Sequence, residues 1–425
     1  MSAPLTQPSR RRPALVPGLQ GSGPGRCFTA AGDSPSPQHS GLQYLAILGC
    51  TGSIGRSAAE LVRRFPEKFK VEALSGHQNI TLLAEQVREL RPNVVALTSP
   101  SHLEEFRARL GPELLGSIKL LWGPESALAV ASLPTVTTVL AGIMGSAGLG
   151  AVLEALRCGK RVALANKESL VAGGALVERA LREGSGELLP VDSEHAALFQ
   201  ALQGVPLEEV ERLTLTASGG PFLRRAAATL CDATPEEATR HPRWKMGAKI
   251  SIDSATLVNK SLELIEAHWL FGLSEEEISV LVHPESIVHS IVEMVDGTQL
   301  AQLSVSDMSG PIAAALTYPS RVKGVLKPLS LAEVGALHFE ALSDGQFPAV
   351  QLARKCLRAG GNATAVFNAA NECAVSRFIA RELRFDRIVP LVEKAVSGLS
   401  GSPITSLAEL HKLEAEVHGL VRSLA

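Results

Sequence analysis

Between residues 43 and 191 the chain alternates short β-rich apolar runs with stretches of helical periodicity, and this rhythm restricts its fold more than any other feature. Strands are predicted over 44–48, 70–74, 93–98, 118–122, 136–140, 161–165 and 188–191. Helical patterns fall between them, near 55–65, 79–90, 101–110, 147–158 and 168–183. A strand that runs parallel to its neighbour needs a long crossover to return, and a helix is the usual one. The segment therefore predicts an α/β domain with a doubly wound, Rossmann-like parallel sheet.

The first strand runs into GCTGSIG, with glycines at 49, 52 and 55, and then into a helical pattern through Ser57, Leu61 and Val62. Glycines let the backbone turn tightly and approach a pyrophosphate, whose charge is favoured by the free N–H groups at a helix start. The spacing departs from G-x-G-x-x-G, so the triplet alone is weak evidence, roughly half of such matches being mere turns; at the first strand of an alternating α/β pattern it points to a dinucleotide. The second strand ends in Ala73, Leu74 and Ser75, without the acidic residue that binds the ribose of NAD. NADP is the expected cofactor, with His77, Gln78 and Asn79 as candidate contacts.

Two later segments carry other chemistry. In PVDSEHAALFQ, residues 190–200, Asp192 and Glu194 stand two apart at the end of an apolar run. In extended backbone that spacing sends both carboxylates to one side, where they repel unless a cation lies between them. The plain alternative is a helix cap by Asp192 or Ser193. In HPRWKMGAKISIDSATLVNKSLELIEAHWLFG, residues 241–272, a helix predicted from about Ala255 brings Asn259, Lys260 and Glu263 to one face. Amide, ammonium and carboxylate together suit a phosphorylated, metal-chelating ligand. The competing interpretation is a solvated helix with an ordinary Lys–Glu pair.

Beyond Val191 the strand-like runs at 210–216, 279–282, 287–295 and 299–305 predict a central α+β domain over 192–310, followed by a linker over 311–345. Helices near 347–359, 364–383, 386–398 and 406–423 predict a C-terminal helical bundle over 346–425. A net charge of −2 on 425 residues argues against a general nucleic-acid or membrane-surface binder. The six cysteines are too sparse and irregular for a disulfide framework or a zinc site, and are expected as free thiols. Residues 1–42 are rich in Pro, Ser, Gly and Arg, with no acidic residue before Asp33, and are expected to be disordered. That composition keeps two locations open, the cytoplasm and an organelle of plastid type.

Taken in order, GCTGSIG, ANKESLV at 165–171, PVDSEH at 190–195, TASGGPF at 216–222, HPRWKMGAKISIDSATLVNK at 241–260 and HPESIVHS at 283–290 resemble the 1-deoxy-D-xylulose 5-phosphate reductoisomerase family. The resemblance runs from about Leu45 to the C-terminus. It implies a homodimeric enzyme of non-mevalonate isoprenoid synthesis that uses NADPH and Mg²⁺, Mn²⁺ or Co²⁺. Its reaction rearranges 1-deoxy-D-xylulose 5-phosphate and reduces the product to 2-C-methyl-D-erythritol 4-phosphate. Retro-aldol cleavage with aldol rejoining, or direct alkyl migration, would each yield the aldehyde that is reduced.

The resemblance also implies residue roles. Asp192, Glu194 and Glu263 would bind the metal, and Lys167, Glu194 and His241 would be catalytic, with Glu168 placed to orient Lys167. Ser193, Ser218, His241, Trp244, Ser254, Asn259, Lys260 and Glu263 would contact substrate, with Ser218, Ser254, Asn259 and Lys260 at its phosphate. Cofactor contacts would come from Thr51, Gly52, Ser53 and Ile54 in the glycine turn and from Gly76 and Asn79 after the second strand. Asn166, Lys167, Glu168 and Gly247 complete that set. His241, Trp244 and Met246 would belong to a lid, and Ser286 and His289 would support the site from behind. SGHQN at 75–79 departs from the family pattern, as does Ser261 where a glycine is frequent. Another NADP-dependent dehydrogenase of a small phosphorylated or chelating substrate is the alternative enzyme, and a non-catalytic NADPH sensor the alternative outside enzymes.

Overall fold

Apolar runs of four to eight residues become strands because helices cover them on both faces. The computed structural model describes residues 14–18, 41–241, 243–244, 246–342 and 347–424. Its first sheet contains β1 (Gln43–Leu48), β2 (Phe69–Gly76), β3 (Val94–Leu97), β4 (Lys119–Trp122), β5 (Thr138–Ala141), β6 (Arg161–Leu164) and β7 (Glu187–Pro190). They lie in the order β4-β3-β2-β1-β5-β6-β7, all parallel. The reversal of strand order at β1 and β5 leaves a crevice at their C-terminal ends, where open α/β sheets bind ligands.

The turn after β1 is shaped by close approach. A Cβ on Gly55 would lie 2.4 Å from the Cα and carbonyl oxygen of Cys50, so a larger residue would push the helix Ser53–Arg64 away from the strand end. Gln86 donates to the Cys50 carbonyl at 2.9 Å and so satisfies a group that the turn leaves unpaired.

The second sheet holds β8 (Val210–Ala217), β9 (Ile278–Val282), β10 (Val288–Met294), β11 (Gln299–Leu303) and β12 (Glu340–Ala341), in the order β11-β10-β8-β9-β12. Only β8 and β9 pair in parallel. The helices Ala349–Ala359, Ala363–Ile379, Ile388–Leu399 and Leu407–Ser423 form the C-terminal bundle, with Ala363–Ile379 packed against the two that follow it. No helix among the described residues is long and apolar enough to cross a membrane. The five cysteines among the described residues are free.

Three expectations change. The helix predicted from about Ala255 is a pair, Ala248–Ala255 and Val258–Phe271, broken at Leu257 with a φ of 57°. The segment 311–345 is not simply a linker, because the helix Ser309–Thr317 enters it and buries Ile312 and Leu316. Within 1–42, Ala14, Leu15 and Val16 are buried, and the Leu15 N–H donates to the Leu270 carbonyl at 2.9 Å. Three apolar residues in a row give that short stretch a surface to bury despite its polar surroundings. The remainder of 1–40 lies outside the described residues.

The Gly55 contact yields a test. Gly55→Ala is expected to cost roughly 1–3 kcal/mol through overpacking, read as a lower urea midpoint with an unchanged slope. A midpoint equal to wild type would mean that the turn has room for a methyl group.

Candidate active site

A cavity of about 440 Å³ opens where the C-terminal ends of β1, β6 and β7 face the second sheet. Ser53 and Ile54 reach it from the glycine turn, Lys167 from the end of β6, and Asp192, Ser193 and Glu194 from the end of β7. Ser218 follows β8, while Ser254, Asn259, Lys260 and Glu263 come from the broken helix pair. His241, Trp244 and Met246 line the side before that pair, and Ser286 and His289 enter from the second sheet.

The left-handed residue Leu257 lets the chain turn between two helices, so that Ser254 and Asn259 face the same cavity. Gly220, at φ +67°, allows the loop after β8 to press against this junction; a Cβ there would meet the Ser254 carbonyl oxygen at 2.6 Å. Ser218 and Ser254 thereby line the same cavity.

Asp192 and Glu194 converge for a different reason from the one their spacing suggests. β7 ends at Pro190 and a helix starts at Ser193, so the two carboxylates flank a helix start rather than sharing one side of a strand. The positive end of that helix favours anions. Neither predicted cap is made, because Asp192 makes no side-chain cap and Ser193 Oγ instead donates to Glu194 Oε2 at 2.5 Å.

Asp192, Glu194 and Glu263 each offer an oxygen, all within 4.8 Å of one another. Two like charges at that distance repel by roughly 3.5 kcal/mol at an effective dielectric of about 20. Two buried ammoniums offset this. Lys167 pairs with Asp192 and with Glu263 at 2.9 Å, and donates a further hydrogen bond to Asn259 Oδ1 at 3.1 Å. Lys260 pairs with Glu194 at 2.7 Å and with Glu263. Burial opposes the charge on both lysines, but the carboxylates around them prevail and raise both ammonium pKa values. Burial likewise disfavours the Glu194 anion, and Lys260 reverses that effect and holds its carboxyl below the usual range. Three carboxylates against two ammoniums leave an excess negative charge and an all-oxygen donor set. That set fits a hard divalent cation.

Beneath it, His195 and Glu266 are fully buried, with Nδ1 3.4 Å from Glu266 Oε2. Burial lowers the His195 pKa and, with Asp192 nearby, raises that of Glu266 well above the ordinary carboxyl value. His195 Nε2 lies 2.8 Å from the Glu263 carbonyl oxygen, which braces the helix that carries Glu263.

His241 Nδ1 accepts from the backbone N–H groups of Arg243 at 3.2 Å and Trp244 at 2.9 Å. The ring proton is therefore assigned to Nε2, which donates to Ser218 Oγ at 3.0 Å. Burial pushes this imidazole down to about 4, with Glu194 opposing the shift. His241 is neutral at physiological pH.

The cofactor candidates divide. Ser53, Ile54 and Lys167 line the cavity, whereas Thr51, Gly52, Gly76, Asn79, Asn166, Glu168 and Gly247 are not among its lining residues. Asn79 caps the helix Ile80–Leu90 by accepting from Leu82 N–H at 3.1 Å. Asn166 donates to the carbonyls of Ile143 and Gly145, fixing the loop after β5. Glu168 does not orient Lys167 directly; its carboxylate lies 3.0 Å from Lys249. His289, expected behind the site, lines the cavity itself and hydrogen-bonds Ser304 at 3.0 Å. Sequence reasoning missed Ser306, Asp307 and Met308, which line the cavity after β11. Their only signal was position, immediately after a predicted strand.

A nucleotide-type turn and an oxygen cluster opening onto one cavity define a dinucleotide-dependent oxidoreductase with metal-assisted chemistry. Family models make the identity more specific: one for 1-deoxy-D-xylulose 5-phosphate reductoisomerase matches residues 45–174, and two for C-terminal domains of that enzyme match 188–271 and 303–420. The chain belongs to the 1-deoxy-D-xylulose 5-phosphate reductoisomerase family. The enzyme of that name from Prosthecochloris aestuarii is 47% identical over 358 residues, covering 84% of this chain and 92% of the relative. The one from Ralstonia pickettii is 47% identical over 378 residues, covering 88% and 95%. A crystal structure of DOX-P reductoisomerase with NADPH, fosmidomycin and magnesium is similar with a TM-score of 0.85 at 38% identity, covering 90% of this chain and 98% of that one. The Zymomonas mobilis enzyme in complex with NADPH gives 0.84 at 38% identity, covering 90% and 99%.

The environment of His241 predicts a pH dependence. An unfolded imidazole near 6.5 takes up a proton on acidification before the folded one, near 4, does. The contribution of His241 to stability is therefore complete above about pH 6.5 and is lost as pH falls towards 4. His241→Gln should show a shallower fall in stability across that window than wild type, measured by denaturant titration at several pH values. An equal slope in the two proteins would contradict the depressed value.

Proposed function

We propose that this cavity is where the chain converts 1-deoxy-D-xylulose 5-phosphate to 2-C-methyl-D-erythritol 4-phosphate, with NADPH and a divalent metal. The observation that carries this reading is the convergence of Asp192, Glu194 and Glu263 with Lys167 and Lys260 in one cavity, in a chain of this family. Mg²⁺ or Mn²⁺ held by the three carboxylates, with Co²⁺ as a further candidate, supplies Lewis-acid stabilisation of negative charge on oxygen. NADPH supplies the hydride that reduces the aldehyde.

The protein's own groups do the rest. Lys260, once Glu194 and Glu263 are neutralised by another cation, is free to pair with the substrate phosphate. Ser218, Ser254 and Asn259 add neutral polar contacts to that group, and Ser193 holds Glu194. Neutral His241 donates through Nε2 on the same side of the cavity. Lys167 keeps its proton beside the reacting oxygens, where it stabilises oxyanion charge and can deliver a proton. Trp244 and Met246 cover the site and exclude water from the aldehyde. Asn166, Glu168 and Gly247, with the glycine turn and the Gly76–Asn79 segment, form the cofactor side. The division into cofactor (43–191), catalytic (192–310) and helical (346–425) domains belongs to this reading. So does a homodimer, which light scattering of the purified protein tests.

The first test follows NADPH absorbance with purified protein, substrate and Mn²⁺, using a chelator as control. Metal-dependent oxidation that yields methylerythritol phosphate is the expected result; a folded protein that binds NADPH without oxidising it would overturn the reading. Glu263→Gln should keep NADPH binding yet lose turnover on the order of 100-fold at limiting metal, and near-normal turnover would remove Glu263 from the metal set. Lys260→Ala should mainly raise the substrate KM. An unchanged KM would assign the phosphate to other groups.

A further inference from the structure

Beside the cofactor face lies a second polar cluster that shares Glu168 with it but whose Lys249, Asp253 and Asn371 none of these roles uses. Lys249, in the first turn of the helix Ala248–Ala255, lies 3.0 Å from Glu168 Oε1 and 3.0 Å from Asp253 Oδ2. Asn371, on the bundle helix Ala363–Ile379, donates to Asp253 Oδ1 at 2.8 Å. Its neighbour Glu372 accepts from Asn368 at 3.2 Å and approaches Gly145, where a Cβ would meet Glu372 Oε1 at 3.2 Å. The Gly145 carbonyl is held by Asn166 at 2.6 Å. The ammonium thus ties the helix after the lid to the residues after β6, and holds Asp253, on the same helix, where it meets Asn371 of the bundle.

Glu168 is 7% exposed and Asp253 1%, while Asn368 and Asn371 are fully buried. Burying such groups is costly, and an apolar contact between the same elements would stabilise the fold as well or better. What an ionic cluster adds is register, since its partners meet in one arrangement only. Burial opposes the Lys249 charge, and Asp253 with Glu168 more than restores it, so the ammonium keeps its proton. Burial also raises Glu372, to about 7, which limits the negative charge collected around Lys249.

We propose that Lys249 is a positioning residue for the reaction: it locks the helix behind the lid to Glu168 and, through Asp253 and Asn371, to the C-terminal bundle, so that lid and cofactor side keep one register. The inference rests on Glu168 belonging to the cofactor side.

Lys249→Met and Asn371→Ala test it, the second because Asn371 lines neither the cavity nor its mouth. In Lys249→Met the NADPH dissociation constant should rise on the order of tenfold, and in Asn371→Ala by a smaller factor, with KM for NADPH following and kcat changing less. Tryptic cleavage of the lid after Arg240 and Arg243, in the enzyme without ligands, should accelerate in both variants, less strongly in Asn371→Ala. Unchanged NADPH binding and lid cleavage in soluble variants would overturn the proposal, even if their melting temperatures fell. So would weakened NADPH binding in Lys249→Met alone, which would make Lys249 a direct cofactor contact. If Lys249→Met does not fold, Asn371→Ala decides by the same two readouts. Wild-type protein that fails to oxidise NADPH would remove the functional reading, while lid cleavage would still decide this one.

Discussion

Repulsion among Asp192, Glu194 and Glu263 is the constraint around which the site is organised. Carboxylates this close, with little of their surface exposed, need positive charge from some source. The fold supplies it by bringing Lys167 from the end of β6 and Lys260 from the helix Val258–Phe271 into contact with all three. Each lysine bridges two acids, and Glu263 is shared by both. Glu263 is therefore the hinge of the charge balance, and the His195 contact to its backbone carbonyl fixes the helix that presents it. Replacing one acid leaves two ammoniums competing for fewer partners, so the effect of such a change spreads beyond the missing ligand.

Much of this was readable in the residues, and the reasons differ by element. The parallel sheet was legible because strands covered on both faces must be apolar runs, and those runs stood between helical periods. Asn259, Lys260 and Glu263 were legible because spacings of three and four on a helix mean one face, which holds despite the break at Leu257. Asp192 and Glu194 were grouped correctly on a mistaken ground: a helix start, not an extended strand, brings them together. Local spacing can suggest that two groups share a direction; the end of a strand decides which direction that is.

The rest depended on partners far away in sequence. Nothing in ANKES indicates that Glu168 turns to Lys249, eighty-one residues later, and away from its neighbour Lys167. The role of the bundle in the site was equally hidden, because Asn371 sits in a helix whose buried face reads as ordinary core. Asn79 shows the converse. Its position after β2 suggested a cofactor contact, yet its side chain is engaged as a helix cap, a role that Asn fills in many proteins. The departure of SGHQN from the family pattern thus coincides with a segment whose side chains have local structural work.

Lys260 draws these threads together. The family resemblance assigned it to a phosphate, while the structure pairs it with Glu194 and Glu263. Both assignments follow from one balance, since an ammonium buried to 3% exposure must always have an anion beside it. Three carboxylates provide that anion when no other cation meets them. In the proposed reaction a dianionic phosphate would provide it once a divalent ion takes the carboxylates over. Binding of metal and of phosphate would then be mutually favourable without direct contact between them, because each lowers the cost of the other through the same side chain.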